Sequence, residues 1–541
     1  IASNPENLST GSSANGSVIL TFNEKIAAGT GNATLNGETL DMKISGNTAV
    51  FNYNSLDYNT KYTFSLPSGI ITDRSGNAYD GTEIIFTTME RIQPIARLYD
   101  AVVAQDGSGN YTNIQAAIDA APTNAVSPYL IFIKAGTYKG HIDIPSTKPY
   151  LHFIGQGYDK VFISDSLLCG GSNALSVDKG ATVVARPENL YFEGISFVNS
   201  YGKDKNAGPQ ALALYTLSDR VILNKCGLYS YQDTWLTTTK VNARQYAHRC
   251  WIEGAVDFIY GQGNVVIDNS KINIVRNSGG YIVAPNHAAN TTWGYVFLND
   301  TITAPGKPSE TSVWLGRPWH DYPKTVYINT VSEVTIPAAG WYNTMGGLPT
   351  LWADYNTMDA KSNKLDLKYR QNTYYYINGS DTVWGKAKNY LTDEEAAQYT
   401  VKNVLTGDDA WQPSLICEEC AAPQTTNHNG ILSWTKVPYA ICYIIERKDS
   451  VIAFTTSTTY TTDGNAEYHI MAVNENGGLS EISINSVNTG INNTLENKNH
   501  TNVEKIYSID GKQQDTVKHG INIIISKDSK GNKLIKKILK K

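Results

Sequence analysis

The sequence predicts an all-β chain: a parallel β-helix flanked by small β-sandwich domains. The first observation behind this is a repeat. Cys226 lies seven residues before Asp233, Cys250 lies seven before Asp257, and the two copies are 24 residues apart. The second is a run of strand-like segments, NLYFEGISFVNS, RVILNKCGLYS, YAHRCWIEGAVDF, NVVIDNSKINIV, GYVFLNDTITA and TVYINTVSEV, recurring roughly every 20–31 residues. Units of that period bury their apolar face only by stacking on their neighbours, which is how a helix of strands forms. Alignment on the cysteines puts Ile195, Cys226, Cys250, Ser270, Thr301 and Val331 in one column. The third is short alternating strands with Asn, Gly and Ser turns near both ends, the texture of sandwiches.

In chain order, residues 1–89 read as a β-sandwich built from SVILTFNEKI, NTAVFNYN, KYTFSLPSG and GTEIIFTT, and resemble bacterial Ig-like modules. Residues 92–416 carry the helical repeat, opened by a short amphipathic capping helix over Ile114–Ala121. Uneven spacing between the strands implies long loops on one side, where a site would be built. Residues 421–488 resemble a fibronectin type III sandwich, with Trp434 and Tyr468 as expected core anchors. A polar linker, 489–503, leads to residues 504–541, which resemble the C-terminal sorting or attachment modules of secreted Bacteroidetes proteins.

Composition narrows the function classes. The 541 residues carry a net charge of −5 with a pI near 6.0, so nothing points to nucleic acid, and the Lys-rich tail 527–541 is short. Only 18% of residues are charged and Thr, Asn, Gly and Tyr abound, an extracellular texture. No apolar run approaches the ~18 residues of a membrane span, and a chain opening on Ile1 is expected to be a trimmed, mature form. Six cysteines are too few for a disulfide scaffold. A secreted, periplasmic or cell-surface bacterial monomer is expected.

The repeat also carries chemistry. If the registers match, Asp233 and Asp257 sit on neighbouring rungs about 4.8 Å apart, too close for both to ionise easily. They read as a catalytic pair. By the same alignment Cys226 lies within disulfide reach of Cys250. Around them stand GPQALAL (208–214), YQDTW (231–235), VDFIYG (256–261) and LGRPW (315–319), with AQDGSGNYTNIQAAIDAAP before and AGWYN (339–343) and ADYN (353–356) after. In that order these motifs resemble the pectin methylesterase family over about 320 residues. The resemblance implies a right-handed parallel β-helix, hydrolysis of galacturonate methyl esters in pectin or homogalacturonan, and neither metal nor cofactor. It further implies Asp257 as nucleophile, Asp233 as general acid and then base, Gln210 and Gln232 as oxyanion donors, and Arg317 orienting Asp257. Trp319 would stack on a sugar ring, with Tyr231, Trp235 and Tyr260 lining the same groove.

The pattern departs from the family in places. Tyr138 is followed by Lys139-Gly140 where Glu is frequent two residues on, Trp235 replaces a Leu, and Val283-Ala-Pro-Asn-His287 stands where a segment like TAQGR is expected. These reshape the groove and leave methylation pattern and polymer length open. A pectin lyase would need a calcium-binding carboxylate cluster, and a polygalacturonase would need an acid and a base across a glycosidic bond. A non-catalytic sugar-binding helix would not need the full catalytic set. Cys417-Glu-Glu-Cys420 has zinc-knuckle spacing without a second ligand pair, so a local disulfide or free thiols are expected.

Overall fold

The computed structural model describes all residues except 55, 171–173, 205–208, 464–466, 486–502, 509–512, 515–519, 528–532 and 541. It divides into two units, Ile1–Asn485 and Ser486–Lys541. In the second, the strands Val503–Ser508, Gln513–Gln514, Gly520–Lys527 and Lys533–Lys540 form one antiparallel sheet. The expected linker, 489–503, falls outside the described residues but for Val503.

The first unit is built on three parallel sheets through which the chain winds. A long sheet has eleven strands, from Ala101–Val103 to Lys388–Tyr390; a middle sheet has nine, from Gly136–Lys139 to Met358–Asp359; a third has seven, from Ile142–Ile144 to Val313–Gly316. This is a parallel β-helix. Like side chains stack along its interior, as in Phe153 on Phe192 (centroids 5.0 Å apart, 7° between planes) and Phe297 on Tyr327 (4.1 Å, 11°). Its open first rung is closed by the helix Ile114–Ala120, which buries Ile114, Ala117 and Ile118. Asn113 caps that helix by accepting from the Ala116 N–H at 2.8 Å. The buried Lys148 ammonium donates to the Asp119 carbonyl (2.9 Å) and the Ala121 carbonyl at the other end.

From Lys225 onward, the corner between the long and middle sheets takes a left-handed residue on each rung. Lys225, Arg249, Asn269, Asn299, Asn329 and Asn356 supply it, with φ between 50° and 58°. Asn bears that conformation more readily than most residues, and here it also bonds along the stack: Asn356 Nδ2 donates to Asn329 Oδ1 (2.8 Å), and Asn329 Nδ2 to Asn299 Oδ1 (3.2 Å). The residue after each corner forms the column. Lys271 pairs with Thr301 and Thr301 with Val331, so Ser270 stacks with Asp300 and Thr330, not with Thr301 and Val331 as expected. The backbone explains the slip, because each column residue follows directly on the left-handed turn.

Cys226 and Cys250 do occupy that column, next to the Gly227–Trp251 pair, but both are free thiols. The expected disulfide is therefore corrected. Side chains at matched positions of parallel, in-register rungs leave the backbone in the same direction, so the sulfurs lie side by side and do not converge. Each instead meets main-chain carbonyls at 3.4 Å, Cys226 those of Phe192 and Asn224, Cys250 those of Leu223 and His248. Cys417 and Cys420 are also free and buried.

Both flanking sandwiches are present in the strand pairings. The first packs a four-stranded and a five-stranded sheet around Val18, Leu20, Phe51, Phe64 and Phe86. Residues 424–485 form sheets of four and three strands around Trp434, Tyr443, Ile445 and Tyr468. The other face of this second sandwich shares a core with the outside of the β-helix. Ile444, Val451 and Met471 pack with Phe132, Ile154 and Tyr191. Polar bonds stitch the seam: the Tyr99 hydroxyl donates to the Gly477 carbonyl (2.6 Å), and the Leu479 N–H to Glu193 Oε1 (3.0 Å). His152 Nδ1 meets the Asn476 carbonyl at 2.9 Å, and burial holds this imidazole down at about 4, neutral. Arg91 ties the two sandwiches together, gripping Glu475 with two N–H groups (2.9 and 2.8 Å) between the rings of Tyr58 and Tyr439.

A shared core predicts shared unfolding. Ile444→Ala should cost about 2–4 kcal/mol and lower the calorimetric transition of the β-helix together with that of the sandwich. Two resolved transitions, with only one displaced, would contradict the common core.

Candidate active site

At the turn from the middle to the third sheet, the stretch from Gln232 to Leu236 lies over the stretch from Val256 to Tyr260 at one constant offset of 24 residues. Gln210 pairs with Gln232 and Gln232 with Val256, while Trp235 pairs with Ile259 and Leu236 with Tyr260. One column therefore holds Gln210, Gln232 and Val256, and the next holds Ala211, Asp233 and Asp257. Both aspartates sit in the left-handed region, with φ of 62° and 51°. Non-glycine residues held there carry local strain, tolerated best by Asp and Asn.

Arg317 follows the strand Val313–Gly316, and its N–H is fixed to the Val283 carbonyl at 3.0 Å. Its guanidinium meets Asp257 as a fork: Nε donates to Oδ1 at 2.8 Å and Nη2 to Oδ2. The Tyr281 ring lies 4.4 Å from the guanidinium carbon, so the cation is held between a carboxylate and an aromatic face. Both aspartates are buried. Burial, then the Asp257 charge, raises the Asp233 carboxyl well above its ordinary value, against the pull of Arg317 and of hydrogen bonds from the Gln210 and Gln232 side chains. Burial also raises Asp257, opposed by Arg317. The carboxyl with the cation ionises first, so the pair divides into an anion, Asp257, and a proton carrier, Asp233.

The structure thus brings Asp233, Asp257, Gln210, Gln232 and Arg317 together. A cleft of about 470 Å³ is walled by Tyr215, Leu236, Tyr260, Asn286 and Trp319 with Asp178 at its side; Leu236 follows Asp233 by three residues and Trp319 follows Arg317 by two. Tyr260 and Trp319 stand edge to face, 5.6 Å between centroids. Trp235 does not line this groove. It is fully buried in the helix interior, where its Nε1 donates to Thr216 Oγ1 at 3.0 Å. Strand alternation is the reason: Trp235 points inward, so its neighbour Leu236 faces the cleft. Tyr231 is almost buried, clustered with Ala255 and Val256, and Tyr281, the ring under Arg317, packs against that cluster. Among the described residues, no three His, Cys, Asp or Glu side chains gather as metal ligands.

Sequence reasoning missed Tyr215, Leu236, Tyr281 and Gly170. The alternation between Trp235 and Leu236 held a signal for one of them. Gly170 had none, since its role is spatial: a Cβ there would lie 1.6 Å from Gln210 Oε1, and its φ of +94° disfavours a side chain in any case.

A buried carboxyl pair divided by one arginine, on neighbouring rungs of a parallel β-helix, defines a class of site; comparison with known proteins names the family. The profile of Pectinesterase matches residues 100–408, and that of Bacterial Ig-like domain matches residues 1–88. Pectinesterase 2 of Citrus sinensis is 34% identical over 324 residues, covering 58% of this chain and 58% of that protein. Pectinesterase of Petunia integrifolia is 30% identical over 327 residues, covering 58% of this chain and 81% of that protein. The solved pectin methylesterase from carrot aligns at a TM-score of 0.49 and 26% identity, over 59% of this chain and 97% of its own. With more than half of its length matched by the first profile, the chain belongs to the pectinesterase family. It spans little more than half the length of the Citrus relative.

Gly170→Ala should displace the Gln210 side chain without unfolding the helix. A crystal structure of the variant with Gln210 unmoved would show that the cradle is not needed.

Proposed function

We propose that this protein removes methyl esters from galacturonate units of pectin, releasing methanol and leaving a free carboxylate. The observation that carries the reading is the Asp257 carboxylate held by the Arg317 fork beside a burial-raised Asp233. Asp257 attacks the ester carbonyl, and the Gln210 and Gln232 amides, which rest on Asp233 in the free site, receive the developing oxyanion. Amides suit this because they donate without a charge to desolvate. Asp233 passes its proton to the departing methoxide, then as a carboxylate takes a proton from the water that hydrolyses the acyl–Asp257 intermediate. Trp319 and Tyr260 offer ring faces and edges to the sugars in the cleft. The family and the Ig-like module support action outside the cytoplasm on a pectic polysaccharide, and residues 504–541 would serve sorting or attachment.

Methanol release from highly esterified pectin, measured with chain cleavage and unsaturated product, tests the reaction. Asp257→Asn should lose at least about a thousandfold in turnover, and Asp233→Asn about a hundredfold or more, each with unchanged circular dichroism. Substantial turnover by a clean Asp257→Asn preparation, or uronate cleavage without methanol, would sink the assignment.

The pH profile gives a second test. The folded Asp257 value lies above the ordinary carboxylate value of 3.8, so activity should be full above it and fall as pH drops through it. Arg317→Lys keeps the charge but not the planar fork, weakening the anion and moving this acid limb upward. A limb at or below the ordinary aspartate range, or one unmoved in the lysine variant, would contradict the pairing.

A further inference from the structure

The hairpin Thr373–Asn378 and Asp381–Lys386 has no part in the mechanism above, yet it carries the chain's most exposed tryptophan. Tyr375 pairs with Trp384 across the hairpin, and Thr344 pairs with Tyr375 on the other side, so all three share one face. Trp384 is 62% exposed, and its ring lies 4.8 Å from that of Tyr375, at a tilt of 39°. By alternation, exposed Ile377 and Lys386 belong to the same face, while Tyr374 turns inward and is fully buried. An aromatic pair left in water beside a lysine is costly unless something covers it.

This face is continuous with the catalytic cleft. Tyr342, two residues before Thr344, packs edge to face with Tyr281 (5.3 Å) and Trp314 (5.6 Å), and Tyr281 is the ring under Arg317. From the other side of the cleft, the Gly346 and Gly347 N–H groups donate to the Pro318 carbonyl (2.9 and 3.1 Å), next to Trp319. The platform thus begins where the cleft wall ends and runs about 10 Å outward, two strand spacings from Thr344. It is also firmly seated. Arg370, just before the hairpin, is buried in an ion pair with Asp354 (2.8 Å) and donates to the Pro337 and Ala338 carbonyls (both 3.2 Å).

On the esterase reading of the site, we infer that this hairpin face is a distal binding site for the same acidic polysaccharide as it leaves the cleft. Sugar rings stack on Trp384 and Tyr375, and Lys386 meets a uronate carboxylate. Flat aromatic faces suit the C–H faces of pyranose rings, and a lone exposed ammonium suits a polyanion, so the chemistry selects a uronate polymer over a neutral glycan or an apolar protein surface.

The test uses the full chain with two substrates, highly esterified polymeric pectin and a short methyl-esterified oligogalacturonide that fills only the cleft. Trp384→Ala should raise KM for the polymer about tenfold, the worth of one good stacking contact, with kcat unchanged and the short substrate unaffected. Lys386→Gln should give a smaller rise that disappears at high salt. In affinity electrophoresis, unesterified polygalacturonate should retard the wild type and retard Trp384→Ala less. A wild type inactive on both substrates would refute the esterase reading, while the electrophoresis still reports on the hairpin. Unchanged polymer KM and unchanged retardation in both variants would overturn the inference. So would a shift of Trp384→Ala to a smaller oligomer with polymer KM unaltered, since the face would then cover a second copy of this chain.

Discussion

Parallel rungs stack one strand spacing apart, about 4.8 Å, and the site depends on that stacking holding its register. Gln210 bears on Gln232, Gln232 on Val256 and Trp235 on Ile259, so the chain that carries Asp233 is laid over the chain that carries Asp257 without a gap. A slip of one residue would turn every side chain to the opposite face. Trp235 would then face solvent, and Leu236 would enter the core. The large buried indole, bonded to Thr216, therefore acts as a register pin two residues from Asp233. Core packing and the placement of Asp233 thus meet in this one residue, which lies wholly in the helix interior.

The same stacking creates the electrostatic problem that Arg317 resolves. Two buried carboxyls in adjacent positions cannot both ionise, and a buried charge without a partner costs several kcal/mol. The guanidinium fork offsets that cost for one of them only. The guanidinium also rests on the Tyr281 ring, whose negative face favours the cation. Asymmetry between two identical residues thus arises from one neighbour contributed by a strand two rungs further along.

Much of this was legible in the chain because period and spacing are properties of sequence. The 24-residue offset of the two Cys–Asp copies gave the rung alignment, and Ile114 to Ala121 read correctly as a short cap whose helix ends one residue earlier. What failed were properties of direction. The Cys226–Cys250 bond followed from proximity, but in-register side chains run alongside one another. Trp235 was expected in the groove because its motif carries Asp233, while alternation sends it inward. The column slipped at Thr301 because the left-handed Asn299 forms the corner and so places Asp300 in the column. The core shared by the helix and the sandwich after it was invisible, since Phe132 and Met471 are far apart in sequence and neither lies in a motif.

Arg91 has a consequence for the order in which the molecule assembles. It stands at the exit of the first sandwich, and its partner Glu475 lies near the end of the last one, 384 residues later. Ser13 and Asn15 likewise reach Glu418, at 2.8 and 3.0 Å. The front of the chain thus finds its mates only after nearly the whole unit has been synthesised. Closing so long a loop costs entropy that only late contacts repay. The helix in between grows rung upon rung from local contacts, and its outer apolar face, including Phe132 and Ile154, stays bare until residues 424–485 arrive. A nascent chain of this protein therefore passes through a long stage with a formed helix and an uncovered flank, the stage at which holding factors in the cell have most to protect.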